Sequence, residues 1–96
     1  MNLEIIKQKA VPVLKRHGVV KASVFGSYAR GVQTDKSDID FIIDYAPGIK
    51  KTLFDLVDLK EELEITLNKN IDLITGSTKL SSYIKDMIMR EKQVII

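Results

Sequence analysis

The 96-residue sequence contains no cysteine, which excludes disulfides, thiolate zinc sites and a cysteine nucleophile and is compatible with a reducing compartment. It also lacks any apolar run approaching the roughly 20 residues that cross a bilayer. The start, Met1-Asn2-Leu3-Glu4, has neither the basic cluster nor the apolar core of a secretory signal. The expectation is therefore a cytoplasmic protein with no membrane contact. Aromatic residues are few: three tyrosines and three phenylalanines are spread along the chain, where stacking of a nucleic-acid strand calls for a cluster. Neither sign of charge dominates. Fifteen basic and thirteen acidic residues are interspersed and sum to +2, unlike the dense basic stripe of a nucleic-acid surface. Direct nucleic-acid binding is not expected.

A hydrophobic share of 45% is what a globular chain needs for one core, and the length suits a single domain over residues 1–96. A domain of this size buries only about 60% of its unfolded surface, so association with a partner would add stability.

Apolar residues at Leu3, Ile6, Ala10, Val13 and Leu14 follow helical spacing and predict a helix from Leu3 to His17. Pro12 should kink it near Gln8 to Val11 or delay its start, and Gly18 should end it. Val19 to Phe25 reads as a buried strand. A tight turn at Gly26, with Ser27 as helix cap, leads to a helical turn from Tyr28 to Arg30 closed by Gly31. After a polar loop, Asp38 to Tyr45 alternates with period two, placing Ile39, Phe41 and Ile43 on one face and Asp38, Asp40 and Asp44 on the other. Leu53, Leu56, Leu59, Leu63 and Leu67 mark a helix within Lys50 to Asn68. Ile71 to Thr75 reads as a strand, and Leu80 to Glu91 as a helix whose Leu80, Ile84, Met87 and Ile88 face the core. Val94 to Ile96 is expected as an edge strand or a packed tail. The order predicts an α/β (α+β) fold, a small mixed sheet flanked by helices.

Gly26-Ser27-Tyr28-Ala29-Arg30-Gly31, a polar loop and Asp38-Ile39-Asp40 carry the chemistry. Two aspartates one residue apart on a strand project from one face, with Cα atoms roughly 7 Å apart. Without a cation such a pair repels, and magnesium relieves it with a few carboxylate oxygens, water and substrate phosphates. Asp72, between aliphatics in the Ile71 to Thr75 strand, offers a third carboxylate. If that strand pairs with the one holding Asp40, Asp38, Asp40 and Asp72 share a face and suit two Mg²⁺ ions. The Gly26-Ser27 turn aims backbone N–H groups and a hydroxyl at one point, a site for a triphosphate.

Gly26-Ser27, ten intervening residues and Asp38-x-Asp40 resemble the signature of the polymerase-beta-like nucleotidyltransferases. The fuller Phe25-Gly26-Ser27-Tyr28-Ala29-Arg30-Gly31 is similar to the minimal nucleotidyltransferase (MNT) branch. The resemblance implies metal binding by Asp38 and Asp40, a third carboxylate at Asp72 that helps deprotonate the acceptor, and contact of Ser27 with the triphosphate. It further implies transfer of AMP from ATP to a tyrosine of a HEPN-type toxin, with this chain as antitoxin in a hetero-oligomer. Larger relatives such as aminoglycoside nucleotidyltransferases carry an acceptor-binding domain, so here a partner protein is expected to present the acceptor. The alternatives are an idle antitoxin acting by contact, or transfer to a small molecule or an RNA end.

Plainer roles stand beside these. Ser27 is also suited to capping, and Arg30 to either a phosphate or partner contact or a structural ion pair. Asp44, near Pro47, reads as a strand-end residue. His17 is placed at a helix terminus outside the chemistry, and Tyr28 in the core. Lys79, Lys85, Arg90 and Lys92 read as a solvated face.

Overall fold

A computed structural model of the chain describes residues 1–76 and 78–96. Eight elements follow one another: α1 (Leu3–Arg16), β1 (Val19–Phe25), α2 (Ser27–Arg30), β2 (Ile39–Tyr45), α3 (Leu53–Leu67), β3 (Ile71–Thr75), α4 (Ser82–Glu91) and β4 (Gln93–Val94). The strands form one mixed sheet in the order β3-β2-β1-β4. β1 runs antiparallel to β2 and to β4, whereas β2 and β3 are parallel, as the connection through α3 requires. The expected class and element order are what the sheet and helices display.

One face of the sheet is dry. Ile39, Phe41 and Ile43 from β2 and Ala22 and Val24 from β1 meet Ile6, Ala10, Val13 and Leu14 of α1 and Leu59, Leu63 and Leu67 of α3. Tyr28 joins this core from α2. The opposite face carries Asp40, Ile42 and Asp44 of β2, and α4, of which only Ile88 is buried, borders a cavity on it.

Several boundaries differ from those expected, each for a local reason. α1 begins at Leu3 and runs unbroken through Pro12 rather than starting late. Asn2 caps it through its Oδ1, which accepts the Ile5 N–H, while Pro12 and Gln8 lie on the exposed side, where water can satisfy the carbonyl that proline leaves without a donor. Gly18 follows the C-terminus at φ +83°, and its carbonyl accepts the Ala46 N–H at 2.9 Å. α3 starts at Leu53 instead of Lys50, because Thr52 and Asp55 form a reciprocal capping box. Leu53, the first leucine of the helical series, is 74% exposed on that first turn. α4 starts at Ser82, with the Ser81 hydroxyl accepting the Ile84 N–H, so Ile84 lies at an exposed N-terminus rather than in the core. The C-terminus combines both expected forms. β4 pairs with β1 over two residues, and Ile95 is then buried and donates its N–H to the Ala22 carbonyl.

Candidate active site

β1 ends at Phe25, whose register partner on β2 is Asp40. The next residue, Gly26, holds φ +75° and ψ −150°, a region that disfavours side-chain-bearing residues. A Cβ at Gly26 would stand 2.3 Å from the Asp40 Oδ2, so glycine is required by both conformation and space. Gly26 takes the cap position of α2 and its carbonyl accepts the Arg30 N–H at 3.1 Å. Ser27 is thus the first residue of the turn and no side chain caps it, contrary to the capping role expected for Ser27. Its hydroxyl makes no hydrogen bond among the described residues, while its carbonyl accepts the Val32 N–H.

Across the sheet, the parallel register sets Asp40 directly against Asp72. Burial, a hydrogen-bonding Asp72 carboxyl, and the negative charges of Asp72 and Asp38 raise the Asp40 carboxyl from 3.8 to about 6, with the Arg30 cation pulling the other way. Asp38 lies just ahead of β2 and is exposed. It acts on Asp40 through its charge, and it also lines a polar hollow with Glu64, Asn68, Lys69 and Asn70. Among the described residues no three acidic or histidine side chains stand together as a ready-made metal cage. The close pair is Asp40 and Asp72, with Asp38 at the rim.

Arg30 makes an ion pair with Glu91 at the end of α4 at 3.1 Å, the structural alternative among its expected roles. Asp44 packs against the backbone of Gly76, where a Cβ would approach its Oδ1 to 2.1 Å, and the Gly76 N–H donates to the Ile43 carbonyl. His17 meets Glu62 at 2.9 Å, and the same carboxylate accepts Arg16, away from the carboxylate pair. Two features had no signal in the sequence. Glu91 is one of many charged residues until the fold brings it to Arg30, and Glu64 shows its role only when its Oε2 accepts the Ile71 N–H at the head of β3.

Residues 8–96 match the family model described as "Polymerase beta, Nucleotidyltransferase". This chain belongs to that family. A nucleotidyltransferase of this kind is similar to a Methanocaldococcus jannaschii protein assigned by name as a protein adenylyltransferase, at 46% identity with 95% of each chain covered. It is also similar to the protein adenylyltransferase MntA of Thermococcus cleftensis, at 37% identity over 80% of this chain and 75% of the relative. Among solved structures, one described as a minimal nucleotidyltransferase matches with a TM-score of 0.78 at 31% identity, covering 97% of this chain and 95% of the other. A tri-AMPylated HEPN toxin of Shewanella oneidensis in complex with its MNT antitoxin matches with a TM-score of 0.73 at 16% identity, covering 97% of this chain and 71% of the other, a likeness of fold. The fold is that of the minimal nucleotidyltransferases.

Proposed function

We propose that this domain, 1–96 working as one unit, transfers AMP from ATP to a tyrosine hydroxyl of a HEPN-type toxin and acts as its antitoxin in a cytoplasmic hetero-oligomer. The relatives named protein adenylyltransferases and the MNT–HEPN complex among its structural neighbours support the choice of substrate and partner. The observation that carries the reading is Asp40 set in register against Asp72, one step from a glycine that has no room for a side chain.

Magnesium fits this donor set. All candidate ligands are carboxylate oxygens, and the like-charge crowding that raises Asp40 is relieved by a divalent cation. Asp38, Asp40 and Asp72 would hold two such ions. When bound, they supply charge neutralisation of the triphosphate and acidify the acceptor hydroxyl.

The residues of the chain do the rest. Gly26 lets the backbone approach the triphosphate, and the free Ser27 hydroxyl donates a hydrogen bond to a phosphate oxygen. Asp72 accepts the proton of the acceptor hydroxyl, a phenol whose ordinary pKa of about 10 favours that transfer over an aliphatic alcohol. The bond from the acceptor oxygen to the α-phosphorus forms as the bond to the pyrophosphate oxygen breaks in line. Arg30, whose cation opposes the rise of the Asp40 carboxyl, would have to leave its ion pair with Glu91 to assist the phosphates or the partner contact.

The test is label transfer from α-labelled ATP to a purified HEPN partner with Mg²⁺, comparing wild type with Asp38→Ala plus Asp40→Ala. Label on the partner that the double variant abolishes supports the proposal. A double variant that still binds the partner beside a wild type that leaves it unlabelled would make this a contact antitoxin.

A further inference from the structure

A second concavity lies on the same sheet face as Asp40 and Asp72. It holds about 500 Å³ between the strands and α4. Its apolar walls come from Ile42 of β2, Ile88 and Met89 of α4, and Val94 and Ile96 of the C-terminal segment. Lys21 of β1, Lys85 of α4 and Lys92 beyond it also line it, and none of the three makes an ion pair among the described residues. Asp44 is the single acidic group present, which leaves an excess of positive charge.

Ser23 adds an independent observation. It is only 6% exposed, the one buried polar residue among those described, and it lines this cavity. Its hydroxyl makes no hydrogen bond among the described residues. Open to the cavity, that hydroxyl is placed to donate to or accept from a ligand group.

The lining also discriminates between ligand classes. No aromatic ring is present on which a base would stack. Aliphatic walls rimmed by unpaired ammonium groups fit an aliphatic side chain with carboxylates beside it. Ile42 is two residues beyond Asp40 on the same face, a step of roughly 7 Å along an extended strand. The cavity thus begins within about two residues' reach of the Asp40–Asp72 pair for an extended peptide.

We infer that the cavity between α4 and the sheet, walled by Ile42, Ile88 and Met89 and rimmed by Lys21, Lys85 and Lys92, binds an acidic, aliphatic segment of the acceptor protein next to the modified hydroxyl. This inference rests on the proposed transfer to a protein acceptor and deepens it by naming the acceptor's local chemistry. The segment carries a carboxylate two to four residues from the accepting tyrosine. Ser23 bonds its backbone or side chain, and the lysines select its charge.

The experiment uses the full chain and a short fluorescent peptide with one tyrosine followed by leucines and glutamates, beside an analogue with lysines for the glutamates. Binding is read by anisotropy without nucleotide, and transfer by labelled ATP with Mg²⁺. The expected result is an acidic peptide bound about tenfold more tightly than the basic one, a preference reversed by Lys85→Glu plus Lys92→Glu and weakened by salt. Lys21→Glu serves as an independent variant. Equal affinity for both peptides, unchanged preference in both charge variants, or displacement of the acidic peptide by adenosine would overturn the inference. Transfer is a separate readout: selective binding without label leaves the cavity's ligand class standing and removes the transfer reading, and label without charge preference does the reverse.

Discussion

Gly26 and Asp40 set the chemistry at the scale of single residues. Gly26→Ala must fit a Cβ 2.3 Å from the Asp40 Oδ2 at φ +75°, which costs about 1–2 kcal/mol of strain and pushes the carboxylate away from Asp72. Transfer by this variant should fall by at least about 100-fold, with only a few degrees lost in melting temperature. Asp40 yields a pH prediction for the metal-free protein. Its carboxyl titrates near 6 in the folded chain and near 3.8 when unfolded, so between those values the folded state holds more protons and stability falls as pH rises. Asp40→Asn removes that loss. Denaturant titrations at pH 4 and pH 7 should show the variant gaining on wild type by about 1 kcal/mol, a figure scaled down for solvent screening of a half-exposed carboxyl. Added Mg²⁺ should stabilise wild type and leave Asp40→Asn unmoved. The spacing led to an expected pair of Asp38 with Asp40, whereas the structure sets Asp72 against Asp40 and leaves Asp38 exposed just ahead of β2, and the closeness of Gly26 to Asp40 had no signal in the sequence. The capping role read for Ser27 was not borne out, since the backbone turns one residue earlier, where glycine alone takes the required dihedral angles.

Among the elements, α3 shows what periodicity carries and what it omits. Leu59, Leu63 and Leu67 recur at four-residue steps and all are buried, so the core-facing stripe was legible. The start of the helix was not, because it is fixed by the side-chain exchange between Thr52 and Asp55, with the Asp55 Oδ2 accepting the Thr52 N–H at 2.7 Å. That exchange also holds the exposed Asp55 carboxyl below its usual range, chiefly through the backbone bond to Thr52. Thr52→Ala should cost about 1 kcal/mol in denaturant unfolding, with little change in transfer because the cap is remote from the carboxylates. Pro12 illustrates the opposite case. Its propensity argues for a break, yet packing of Ile6, Ala10, Val13 and Leu14 holds α1 together around it. α4 was legible as a helix but not in its packing. Only Ile88 is buried, and its exposed residues reach across to Arg30 and the cavity floor, contacts that no local pattern records.

For the whole molecule, the sheet order is the property that assembles the site. Strands β2 and β3 are separated by α3 in sequence, and their parallel register alone sets Asp40 against Asp72. Alternation along β2 told which face carried the acids, and the strand around Asp72 was recognisable from its aliphatics. Its partner was open in the sequence, since register is decided by burial of Ile39 and Ile71 against the helices. The same topology leaves one face dry and the other half covered, so Asp40, Asp72 and the cavity share one surface. Asp72→Asn tests this most directly, because it keeps the shape of the side chain and changes only its charge and basicity. In a label-transfer assay with ATP, Mg²⁺ and the HEPN partner, the variant should lose at least about 100-fold in rate while partner binding stays at the wild-type value and the metal-free melting temperature at pH 7 does not fall, since the charge facing Asp40 is removed. Transfer at the wild-type rate by Asp72→Asn would contradict the account.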